Sequence, residues 1–120
     1  MDLDTLRDYL FAKAGAAEEL PFGPDVLVFK VGGKMFALVA WKQTPLEISL
    51  KCDPDQAEFL RERYPEIRPG YHLNKRHWNT ITLNGSIPRK EIRGMIDQSY
   101  ELILSSLPKK TRDTIRPGNA

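Results

Sequence analysis

A single cysteine, Cys52, rules out an internal disulfide, and one thiol without a cysteine partner is a poor basis for a metal site. No apolar run approaches the roughly 20 residues of a membrane-spanning helix, and the start Met1-Asp2-Leu3-Asp4 has the wrong sign for a signal peptide. These absences predict a protein of the reducing cytoplasm with no membrane partner, and a monomer is the expectation. The chain also lacks a phosphate loop, a His-Glu-x-x-His, a Gly-x-Ser-x-Gly and a cysteine pair. Ser99, His77 and Lys75 can be set out on paper as nucleophile, base and anion site, but nothing in their spacing demands it. The acids Asp2, Asp4 and Asp8 are too few for an iron or calcium site. The expectation is therefore a protein that is not an enzyme, with no catalytic residue, no metal and no cofactor.

Charge of one sign is scarce as well, since the net charge is only +2, but its distribution is uneven. Residues 1 to 25 carry six acids and two bases, and residues 53 to 66 carry five and two. Residues 67 to 96 instead carry Arg68, Lys75, Arg76, Arg89, Lys90 and Arg93 against Glu91 alone. Such asymmetry allows one basic, phosphate-attracting surface on a nearly neutral protein. An alternating, solvated surface is the plainer reading of the same counts.

With 41% hydrophobic residues in 120, the chain suits one domain over residues 1–108, followed by a polar basic tail, 109–120, expected to fray. Asp2 is a favourable helix cap, and Leu3, Leu6, Leu10 and Ala14 follow at spacings of three and four. Glu18 to Asp25, with two prolines and a glycine, reads as a connector. Val26 to Val31 and Lys34 to Trp41 read as strands joined at Gly32-Gly33, a turn that would place Val31 opposite Lys34, Phe29 opposite Phe36 and Leu27 opposite Leu38. Leu46 to Cys52 alternates as a half-buried strand, with Cys52 inward as a small core residue. Asp53-Pro54-Asp55-Gln56 predicts an aspartate cap and capping box for a helix that Pro65 stops. Ile92, Ile96, Ser99 and Ile103 form the stripe of a last helix, where Ser99 is expected to bond back to the preceding turn.

Between these helices, Pro69 to Leu83 reads as two extended segments around a polar, basic corner at Asn74 to His77. The order α-β-β-β-α-β-β-α predicts an α+β fold, a mostly antiparallel sheet with helices packed on one face.

Pro21-Phe22-Gly23, Lys34-Met35-Phe36, Tyr71-His72-Leu73-Asn74-Lys75 with His77-Trp78, and Asp97-Gln98-Ser99-Tyr100-Glu101-Leu102 together resemble the MmcQ/YjbR family of small bacterial proteins. The likeness runs from about Asp2 to Lys110. It implies a CyaY-like fold, related in shape to frataxin, and DNA binding through a double-wing motif. On that pattern Asn74, Lys75, His77 and Trp78 would carry contact, with Arg76 in the same corner. The Gly32-Gly33 turn flanked by Lys30 and Lys34 is a second projection suggested by hairpin geometry.

Two functions fit these residues. In the first, the corner's cations contact DNA phosphates, while Trp78 packs in the core or stacks on a base. The alternative is a protein-interaction or small-ligand module with Pro21, Phe22, Tyr71 and Trp78 as an apolar patch and Lys75 as an anion anchor.

Overall fold

The computed structural model describes residues 1–70 and 73–117. Helix α1 (Leu3–Phe11) is capped by Asp2, whose carboxylate accepts the Thr5 N–H at 2.8 Å. Strands β1 (Ala17–Glu19), β2 (Leu27–Val31), β3 (Lys34–Ala40) and β4 (Glu47–Lys51) follow, then α2 (Pro54–Arg63). Strands β5 (Ile67–Pro69) and β6 (Trp78–Thr82), α3 (Arg89–Ser106) and α4 (Lys109–Ile115) complete the chain. The six strands form one antiparallel sheet in the order β1-β2-β3-β4-β6-β5. One continuous core joins Leu6 and Leu10 of α1, Ala57 and Leu60 of α2 and Ile92, Ile96 and Ile103 of α3 to one face of the sheet. The fold is α+β with helices on a single face.

Two elements are additional to those read from the sequence. β1 overlaps the start of the expected connector; its three residues are too few for periodicity to reveal, and only pairing with β2 defines it. The tail expected to fray from Lys109 instead forms α4, because Ile115 packs against the core and Arg116 makes a forked ion pair with Glu101 at 2.6 and 2.8 Å. α2 starts after Asp53 as expected, but the Asp53 side chain makes no capping hydrogen bond.

The Gly32-Gly33 turn, with φ of +56° and +80°, does place Val31 opposite Lys34. Beyond that the register differs from expectation. Lys30 pairs with Met35 but Phe29 pairs with Ala37, so Phe36 is the extra residue of a β-bulge. The slip brings Ala37 and Val39, rather than Leu38, onto the core face beside Phe29. Phe36 stays inward, and its ring lies 6.5 Å from that of Phe29 and 5.3 Å, edge-on, from that of Tyr100.

Ser99 is fully buried, but its partners are in the sheet rather than in its own helix. Its hydroxyl donates to the Phe36 carbonyl at 2.6 Å and accepts the Lys51 N–H at 2.9 Å. Register continued from Ala37↔Leu50 would set Phe36 opposite Lys51, so the hydroxyl stands where a ladder bond would be. On the same helix Asp97 accepts hydrogen bonds from Tyr9, at 2.5 Å, and from Lys13, tying α1 to α3. Burial pushes the Asp97 pKa up, but the two hydrogen bonds and the Lys13 charge outweigh it and hold the carboxyl below its ordinary value.

Ser99→Ala would leave a buried donor and acceptor unbridged, and an equilibrium urea titration should show a loss of about 2 to 3 kcal/mol. A loss under about 0.5 kcal/mol would mean the bridge is dispensable. The depressed Asp97 pKa stabilises the fold above the unfolded value of about 3.9 and loses that effect as pH falls through the lower folded value. Asp97→Asn should accordingly show a shallower fall in melting temperature below about pH 4 than the parent.

Candidate nucleic-acid interface

Antiparallel register decides which loops share an end of the molecule. Phe36 in β3, Lys51 at the end of β4 and Trp78 at the start of β6 form one row across the sheet. The Gly32-Gly33 hairpin and the turn at residues 74–77 both project beyond that row, on the same side. Their two insertion points, on β3 and β6, are separated only by β4, about 10 Å apart. The structure therefore brings Lys34, Lys75 and Arg76 to one end, with Lys51 between the projections.

The corner is a tight turn built by Asn74. Its carboxamide oxygen accepts the Arg76 N–H at 3.0 Å, and its carbonyl accepts the N–H groups of His77 and Trp78 at 3.2 and 2.9 Å. The His77 carbonyl accepts the Cys52 N–H at 2.7 Å, which carries the β4–β6 pairing one step further. Asn74 thus shapes the turn, while Lys75 and Arg76 extend from it exposed, and His77 is half-buried. Among the described residues neither Lys75, Arg76 nor Lys51 is within ion-pair distance of an acid.

Arg61 of α2 supports this turn from the helix layer. Its guanidinium donates to Asn79 Oδ1 at 2.7 Å, to the Lys75 carbonyl, and to the Trp78 carbonyl at 3.4 Å. Asn79, only 2% exposed, in turn donates to the Ala57 carbonyl at 3.3 Å. All three acceptors of Arg61 are neutral, so its charge adds to the basic end. Sequence reading missed Arg61, since nothing local relates it to residues 14 to 18 positions away. It also missed Lys51, although strict alternation with Leu50 and Cys52 was a usable signal.

Other predicted contact residues are placed differently. Trp78 is 8% exposed, so its ring offers no open stacking surface. Lys30 is half-buried and pairs with Glu19 at 3.1 Å. Pro21 and Phe22 are exposed, but they precede β2 at the end of the sheet opposite the hairpin, about 15 Å of strand away from it. The apolar patch proposed to join them to Trp78 is therefore not assembled, and Tyr71 and His72 lie outside the described residues. Cys52 is inward as expected; burial, then the Asp53 charge, pushes its thiol pKa up.

The profile of the YjbR family matches residues 11–102. The chain is 36% identical over 112 residues to the uncharacterised YjbR protein of Escherichia coli K12, covering 93% of this chain and 95% of that one. It is 39% identical over 98 residues to the uncharacterised YbdF of Escherichia coli O157:H7, covering 82% and 80%. A Deinococcus radiodurans crystal structure of the DUF419 domain family superposes with TM-score 0.90 at 39% identity, over 95% of this chain and 87% of that one. A Pseudomonas syringae crystal structure gives 0.74 at 33%, over 86% and 99%.

Arg61→Ala should speed hydrogen exchange of the His77 and Trp78 amides, and should do so by at least about tenfold more than at the β2–β3 pairing, since local opening is governed by local contacts. Equal acceleration at both places would show that Arg61 stabilises the whole fold and does not hold the turn.

Proposed function

The chain belongs to the YjbR family, and on that premise we propose that it is a DNA-binding protein that contacts phosphates and carries out no chemistry. The observation that carries this reading is the convergence of two basic projections, at Lys34 and at Lys75-Arg76, on one end of a protein with a net charge of +2. Lys51 and Arg61, which makes no ion pair among the described residues, lie between and beneath them and add two cations to that end, against Asp53 beside Cys52. Flexible cations on preformed turns suit phosphate oxygens, which fix position on a duplex without reading its sequence. The buried Trp78 supports a backbone-directed mode over one based on stacking. Ser99 serves as a bridge inside the fold, with its hydroxyl already engaged on both sides, and so is not available as a nucleophile. Among the described residues, no helix is long and apolar enough to cross a membrane.

The test is a fluorescence-anisotropy titration of duplexes of unrelated sequence at several salt concentrations. Lys75→Ala with Arg76→Ala should weaken binding to all of them and flatten the slope of log affinity against log salt by about 2. Melting temperature should barely move, since exposed cations without partners contribute about 0.5 kcal/mol or less. Unchanged affinity and slope would remove the corner from the mechanism, and absence of binding by the parent at low salt would remove the reading itself.

A further inference from the structure

The bases of α4 belong to a segment whose composition predicts fraying, yet the structure seats them beside one of the two projections. Gly32 lies so close to the α3–α4 junction that a Cβ there would come 2.5 Å from Leu107 Cδ1. Lys34 Nζ is 3.4 Å from Ser106 Oγ, one residue before that junction. Leu107 is itself 4% exposed, so the hairpin and the junction form one packed unit. Lys109 and Lys110 begin α4 directly after Pro108 and are exposed. At the helix's other end, Ile115 on the core and Arg116 on Glu101 hold α4 in place.

We infer that Lys109 and Lys110 form, with Lys34, a second phosphate-contact surface, so that α4 extends the DNA-binding end of the protein on the helix side of the hairpin. The inference rests on the phosphate-binding reading and adds to it a contact outside the stretch matched by the family profile. The acid nearest in the same helix is Asp113, which is 3.5 Å from Lys109 in an exposed pair that water and salt screen. Lys110 has no ion pair among the described residues. A surface running from the turn at residues 74–77 across the hairpin to α4 fits a rigid polyanion. The molecule, 41 × 32 × 26 Å, is comparable in size to one turn of B-DNA, about 34 Å.

Salt-dependent anisotropy with duplex DNA tests this. Lys109→Ala with Lys110→Ala should flatten the log–log salt slope by about 2, and the loss should add to that of the Lys75 and Arg76 changes. The control is Lys42→Ala with Lys90→Ala, which removes the same charge from the opposite end, since Lys42 follows the far end of β3 and Lys90 is in the first turn of α3. It should leave the slope nearly unchanged. Lys109→Arg with Lys110→Arg should keep the parent slope, which separates phosphate contact from any effect on helix stability. If the α4 alanine pair behaves like the control while the Lys75 and Arg76 pair loses binding, α4 is outside the site and only this inference falls. Failure of the parent to bind at low salt overturns both.

Discussion

One serine hydroxyl holds the sheet together at the point where its ladder is interrupted. The bulge at Phe36 displaces β3 by one residue relative to β2, and on the β4 side the backbone groups of Phe36 and Lys51 meet through Ser99. Both groups lie under α3, the Phe36 bond buried and the Lys51 bond partly so, where an unmatched donor or acceptor costs about 1 to 3 kcal/mol. The same bond fixes α3 over the sheet, because it comes from the middle of that helix. The seat of α3 on the sheet, beside the inward Phe36, Ala37 and Val39, is thus tied to this contact.

The consequences extend to the candidate site. α3 passes from Ser99 to Leu107, which packs against Gly32, so the hairpin is braced by the helix that the bulge helps to locate. On the other side of β4, the turn at residues 74–77 is braced by α2 through Arg61 and Asn79. Each basic projection therefore has its own support in the helix layer, and the sheet register alone sets the distance between them. Charges held on such preorganised turns lose less conformational entropy on meeting a phosphate than charges on a loose tail would.

Electrostatics follow the same division. Where cations meet acids across the fold, as Arg7 does Glu18, Lys30 does Glu19 and Arg68 does Glu47, the pairs bind neighbouring elements and leave little outward field. At the hairpin end Arg61 is matched with carbonyl and carboxamide oxygens instead, and the turn above it carries further positive charge. A net charge of +2 therefore understates the potential at that end.

Much of this architecture was legible in the chain itself. Helix starts at Asp2 and Pro54, the Gly32-Gly33 turn, the alternation of Leu46 to Cys52 and the basic corner at Asn74 to His77 are local signals, each set by the conformational preferences of a few adjacent residues. They sufficed for the α+β class and for the burial of Ser99. What they could not supply were relations between distant residues: the bulge at Phe36, the pairing that makes β1 a strand, the docking that keeps α4 helical, the partners of Ser99 and the hold of Arg61 on its turn. Each of those depends on contact free energy between separate elements, which competes with local preference and leaves no periodic trace in sequence. The sequence by itself determined α1, α2, α3, the longer strands and the turns between them, and where the bases lie along the chain. Only tertiary packing decided that two basic turns and the start of α4 share one end of the molecule, because strand register and helix docking are properties of the assembled core.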